Sequence, residues 1–204
     1  MPLVDTRPTR HPESMEAFLV STLAVTIGEI GDKTQLLALL LAVRFRRPLP
    51  IIAGIFVATI LNHALAAFVG QWVADQLSPA VLRWLLGLSF IAIALWALKP
   101  DAFEEEEKLE RAGYGVFLLT CITFFLAEIG DKTQLATVAL AARFQDLAPV
   151  LFGTTLGMMI ADTPAVFLGR VAAPNFPFRL VRLAAAAIFA ALGAAVLLGV
   201  SFGF

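Results

Sequence analysis

The chain has 204 residues, of which 59% are hydrophobic and 15% charged, with a mean hydropathy of +0.85 and a formal charge of -1. Soluble domains carry roughly 25% charged residues, and a core of this size cannot hide so much apolar surface, so the expected solvent is lipid. The net charge says nothing about nucleic acid, but no basic patch with interleaved aromatics points to it as a partner, and the single cysteine, Cys121, excludes an internal disulfide and a cysteine-built metal cluster.

Residues 1–15 are polar, carry three prolines and read as a disordered tail, with Met15 as an alternative natural start. The first apolar run is too long for the core of a cleavable signal peptide and has no short basic segment against it. A helix needs about 20 apolar residues to cross a bilayer. Six segments qualify: 16–43, 50–74, 79–98, 113–142, 148–171 and 179–202. Arg44 to Pro48, Ser78-Pro79, Lys99-Pro100, Pro149, Pro174 and Pro177 stand at their ends, where proline suits helix starts and stops. The one hydrophilic connector is 99–112, with Glu104 to Glu107, Glu110, Lys108 and Arg111. It divides the chain into a first half, 16–98, and a second, 113–204, and reads as a solvated linker.

Lys and Arg in the loops set orientation. Arg7, Arg10, Arg83 and Arg143 fall on one side. Arg44, Arg46, Arg47, Lys99, Lys108, Arg111, Arg170, Arg179 and Arg182 fall on the other. The second side is expected to be cytoplasmic, with both termini outside and the acidic linker inside.

Within the first segment stands Glu29-Ile30-Gly31-Asp32-Lys33-Thr34-Gln35. It recurs unchanged in the fourth as Glu128-Ile129-Gly130-Asp131-Lys132-Thr133-Gln134. The match continues at the same 99-residue offset: Ala42, Arg44 and Phe45 with Ala141, Arg143 and Phe144, Pro50 and Gly54 with Pro149 and Gly153, and Ala66, Phe68 and Gly70 with Ala165, Phe167 and Gly169. Each repeat holds three spans, and three is odd, so the second copy should insert upside down. The expected fold is therefore all-α: six transmembrane helices as two inverted three-helix repeats, with a site at the repeat interface.

Charged residues inside a span cost roughly 2.5–3.5 kcal/mol each on insertion scales, and here that cost is met twice. On a continuous helix Glu29 and Asp32 share a face, Gln35 extends the row, and Lys33 is placed to partner Glu29. Gly28, Gly31 and Gly130 permit a local break. Glu29, Asp32, Gln35, Glu128, Asp131 and Gln134 are thus the candidate metal ligands, with Lys33, Lys132, Thr34 and Thr133 in support. Thr34 and Thr133 could instead bond backbone carbonyls, and Gln35 and Gln134 could instead join helices. This all-oxygen set suits a hard divalent cation such as Ca2+, Mn2+ or Mg2+. Four carboxylates and two lysines leave a charge of -2, which one divalent cation or two protons would neutralise. Exchange of cation for protons is the mechanism this implies.

Further polar groups lie at membrane depth: Asn62-His63 in the second segment and Asp162-Thr163-Pro164 in the fifth, with His63 aligned to Asp162 at the 99-residue offset. An intramembrane Asp is a functional candidate by default. Asp162 is expected as a proton relay or a group behind the ligands, and His63 and Asn62 as relay or helix-joining groups. Pro164 should kink its helix and free a carbonyl.

At these residues the chain resembles the small cation/proton antiporters once grouped as uncharacterised protein family 0016. That family includes bacterial manganese exporters and Golgi manganese and calcium transporters. Its Glu-x-Gly-Asp-Lys/Arg-Thr/Ser motif reads here as Glu29 to Thr34 and Glu128 to Thr133 without departure. The resemblance covers the chain from about residue 15 onward. It implies Mn2+, with Ca2+ as the alternative, held by the motif carboxylates and moved outward from the cytoplasm across a bacterial inner membrane. It implies a transported ion rather than a cofactor, and a transporter rather than an enzyme. Distant alternatives are a divalent cation channel and an intramembrane aspartyl protease. The protease's Gly-x-Gly-Asp pattern is not met, since Glu29 and Glu128 stand where its first glycine belongs. The expected partners are the cation, protons and membrane lipid, with the chain as monomer or homodimer.

Overall fold

The computed structural model describes residues 11–99, 115–168 and 178–199, and among these the chain is helical with no strand. The elements are α1 (His11–Glu29), α2 (Lys33–Phe45), α3 (Pro48–Gln76), α4 (Pro79–Ala97), α5 (Val116–Glu128), α6 (Lys132–Phe144), α7 (Leu147–Leu168) and α8 (Phe178–Leu198). Helix α1 begins at His11, inside the stretch expected to be a tail. Pro12 falls in the first turn, where its missing N–H costs nothing, and Glu13 faces the positive end of the helix dipole. Residues 1–10 and the acidic run 100–114 lie outside the described residues, as do Pro174 and Pro177.

The segments 16–43 and 113–142, expected as single helices, are each two helices. Gly31 (φ 82°) and Gly130 (φ 74°) take the left-handed conformation, which stops a helix. The next residues, Asp32 and Asp131, are extended and stand at the N-caps of α2 and α6. The break falls inside the motif in both copies, and α1 and α2 meet at 69°.

Among the described residues, three helices are long and apolar enough to cross a membrane alone: α3 with 29 residues, α4 with 19 and α7 with 22. The bent α1–α2 pair makes a fourth if it is one broken span. The other two expected spans are not matched by single long apolar helices. Helices α5 and α6 have 13 residues each because the motif divides them, and the apolar stretch of α8 covers Leu183–Leu198. Leu23, Leu65, Phe68, Trp72, Trp84 and Leu95 are more than half exposed on the outside of the bundle. That surface is stable only against lipid, and the chain is an integral membrane protein.

Small residues let the helices meet closely. On α3, a Cβ at Gly54 would lie 2.6 Å from Thr120 Cβ and 2.9 Å from the Phe117 carbonyl of α5. On α7, a Cβ at Gly153 would lie 2.5 Å from the Phe18 carbonyl and 3.0 Å from Ser21 Cβ of α1. Every member of the second contact stands 99 residues from its counterpart in the first. The same reciprocity joins α2 to α7 as α6 joins α3. Helices α4 and α8 pack on one another, with Gly87 against Leu197 and Ile91 against Gly193, so they run in opposite directions.

Candidate functional site

The break in each motif is held by its own glutamine. Gln35 Oε1 accepts from Gly31 N–H at 2.8 Å, and Gln134 Oε1 accepts from Gly130 N–H at 2.7 Å. The free amide end then ties the break to a helix of the other half. Gln35 Nε2 donates to the Ala161 carbonyl at 3.0 Å on α7. Gln134 Nε2 donates to Asn62 Oδ1 at 3.2 Å on α3, and Asn62 Nδ2 donates to the Phe125 carbonyl at 3.0 Å. Residues 62 and 161 are again 99 apart. Helix α7 continues through Pro164, whose ring loosens the turn before it, and it is in this turn that Gln35 finds its carbonyl.

The break also changes which charges meet. Lys33, placed by helical spacing to partner Glu29, instead faces Asp131 of the other motif, with Nζ 3.4 Å from Oδ1. Lys132 Nζ pairs with Asp32 Oδ1. With residues 30–32 non-helical, the i, i+4 geometry no longer exists, and each lysine reaches across the interface. The pairs differ in depth: the Lys33 side chain is 28% exposed and that of Lys132 is 4%.

The threonines serve the carboxylates rather than backbone carbonyls. Thr34 Oγ1 donates to Glu29 Oε1. Thr133 Oγ1 lies 3.3 Å from Glu128 Oε2 and 3.2 Å from Asp131 Oδ2, and its backbone N–H donates to Asp131 Oδ2 at 3.3 Å. Glu29, Asp32, Glu128 and Asp131 are all buried. Glu29, Asp32 and Asp131 each offer an oxygen to one point, with the three atoms within 4.8 Å of one another. Glu128 is not in that set. Among the described residues, Glu29 Oε2 and Glu128 Oε1 accept no hydrogen bond, and neither do both oxygens of Asp162 and both nitrogens of His63, all fully buried.

Buried carboxylate oxygens from two motif copies, two cross-paired lysines and unused lone pairs make an acceptor-rich cage in an apolar bundle. An uncompensated buried charge costs several kcal/mol, so such a cage needs a counter-charge. The glutamines' role as clasps of the break was missed in the sequence, where the signal was the fixed four-residue step from Gly31 to Gln35 and from Gly130 to Gln134.

The family model described as divalent cation/proton antiporter GDT1 matches residues 17–105 and 116–202. The chain is 49% identical over 188 residues to a "Putative manganese exporter" of Vibrio cholerae, covering 92% of each. It is 30% identical over 195 residues to a GDT1-like protein of Synechocystis, covering 86% of this chain and 93% of the relative. It is 29% identical over 204 residues to GDT1-like protein 3 of Arabidopsis thaliana, covering 87% and 69%. No solved structure matches.

Proposed function

The chain belongs to the GDT1 family of divalent cation/proton antiporters, and from that premise we propose that it exports Mn2+ from the cytoplasm in exchange for protons. The observation that carries this reading is the convergence of Glu29 and Asp32 from one motif with Asp131 from the other, all buried. Oxygen-only donors suit Mn2+ or Ca2+ over softer metals. The name of the Vibrio cholerae relative favours Mn2+.

In this reading Glu29, Asp32, Glu128 and Asp131 hold the cation. Gln35 and Gln134 keep the two breaks open, and Lys33 and Lys132 balance the carboxylates when the cation is absent. Asn62 anchors the second break. The formal charge of -2 on the two motifs together is cancelled by one divalent cation or by two protons. Two protons per cation is the expected exchange.

The proposed frame is six spans in two inverted three-helix repeats, with α1–α2 and α5–α6 as broken spans. The reciprocal glycine contacts and the opposed α4 and α8 support it. Broken helices meeting at mid-membrane are a recurrent transporter device. The proposed setting is a bacterial inner membrane with both termini outside and the acidic linker in the cytoplasm. Arg83, Arg143 and Gly199 lining one cavity supports the grouping of those loops at one end of the bundle.

The test is cation uptake into proteoliposomes under an imposed pH gradient, with Mn2+, Ca2+ and Mg2+ compared. Wild type is expected to accumulate Mn2+ as protons leave, and Glu29→Gln and Asp131→Asn to abolish it. Normal transport in both variants overturns the site. Preferential Ca2+ flux makes Ca2+ the cargo, and cation flux without proton movement makes the protein a channel.

A further inference from the structure

The two motif copies are identical, but their surroundings are not, and one of the differences sits at a pair of equivalent positions that both carry a buried titratable group. Gly153 lies on Phe18 and Ser21, and Gly157 on Thr22 and Thr26. Helices α1 and α7 therefore run side by side in the same direction, with Thr26 Oγ1 donating to the Gly157 carbonyl at 3.3 Å. Five residues beyond Gly157, Asp162 comes level with Glu29 at the end of α1. On the other side Gly54 lies on Phe117 and Thr120, and Asn62 bonds the Phe125 carbonyl. Helices α3 and α5 thus also run together, and His63 comes level with Glu128 at the end of α5.

The first place holds a carboxylate and the second an imidazole. Asp162 is fully buried, neither of its oxygens has a hydrogen-bond partner among the described residues, and it lies within electrostatic range of both Glu29 and Glu128. A carboxylate so placed is costly unless it meets a cation. The close set of oxygens takes Glu29 and Asp32 from the first motif and only Asp131 from the second, and it includes neither Glu128 nor Asp162. Imidazole suits softer metals, whereas carboxylate oxygen suits Mn2+ and Ca2+.

We propose that Asp162 is a further ligand of the transported cation, so that the seat lies off the midpoint of the two motifs, on the α1–α7 side, while His63 fills the equivalent place on the α3–α5 side without holding the ion. The two halves of the site are then not interchangeable, although their motifs are. This inference rests on the function proposed above and assigns that site a ligand the motif does not contain.

The test is equilibrium Mn2+ binding to the purified full-length chain in detergent, read from the free Mn2+ signal in electron paramagnetic resonance. Wild type is compared with Glu29→Gln, Asp162→Asn and His63→Gln, and melting without metal is recorded for each. Glu29→Gln and Asp162→Asn should each weaken binding at least tenfold, and His63→Gln less than threefold. If Asp162→Asn does not survive purification, Asp162→Ser removes the same carboxylate with a smaller side chain. Binding within threefold of wild type after loss of the Asp162 carboxylate overturns the inference. So does a loss in His63→Gln equal to that in Asp162→Asn. If wild type itself binds no Mn2+, the proposed function fails. If Glu29→Gln weakens binding and Asp162→Asn does not, only the added ligand fails.

Discussion

Replacing Lys132 by methionine should destabilise the protein more than the same change at Lys33, although the two lysines stand in identical motifs. Methionine keeps most of the stem and removes the charge. Lys132 and its partner Asp32 have side chains 4% and 0% exposed. Removing one member of such a pair leaves a buried charge uncompensated, at a cost of about 3–5 kcal/mol. Lys33 is 28% exposed and stands 3.4 Å from Asp131. Asp131 is only 1% exposed, but solvent reaches the lysine end and screens the pair, so its loss should cost less, about 1–3 kcal/mol. Unfolding by denaturing detergent in metal-free mixed micelles, followed by tryptophan fluorescence, measures both losses. Adding Asp32→Asn to Lys132→Met should recover most of the larger loss, because the carboxylate that lost its lysine is then neutral as well. Equal losses at the two lysines, or no recovery in the double variant, would refute the unequal depth of the two pairs.

Two further outcomes follow from the backbone. Gly54→Ala and Gly153→Ala each put a methyl group into a crossing with under 3 Å of room. Each should cost about 1–3 kcal/mol, read as a lower melting temperature in detergent, and a silent variant in one half alone would break the equivalence of the two crossings. Gly31→Ala and Gly130→Ala force a side chain into the left-handed region at about 1–2 kcal/mol. At Gly130 nothing lies within 4 Å of the added carbon, so Gly130→Asn should recover part of the loss in the same melting assay. Failure to recover would mean that the residue serves more than the turn.

Much of this was legible in the sequence because it is written in local terms. Apolar content and run length decide that lipid is the solvent. The exact recurrence of seven residues at a 99-residue offset marks two copies of one unit, and the glycine inside each copy permits a break. Carboxylates, amides and hydroxyls without histidine or cysteine in the motif define an oxygen site for a hard cation.

What only the tertiary structure decided is which groups meet. Helical spacing gave Lys33 to Glu29, yet the chain gives it to Asp131, because a left-handed glycine removes the helix on which that spacing depends. Spacing could not show that Gln35 and Gln134 close the breaks onto helices of the opposite half. Nor could it show that Glu29, Asp32 and Asp131 converge while Glu128 stands apart. Residues about 100 positions apart carry no record of their distance in the chain between them. That distance is fixed by small residues such as Gly54 and Gly153, which set how closely and in which register the helices pack.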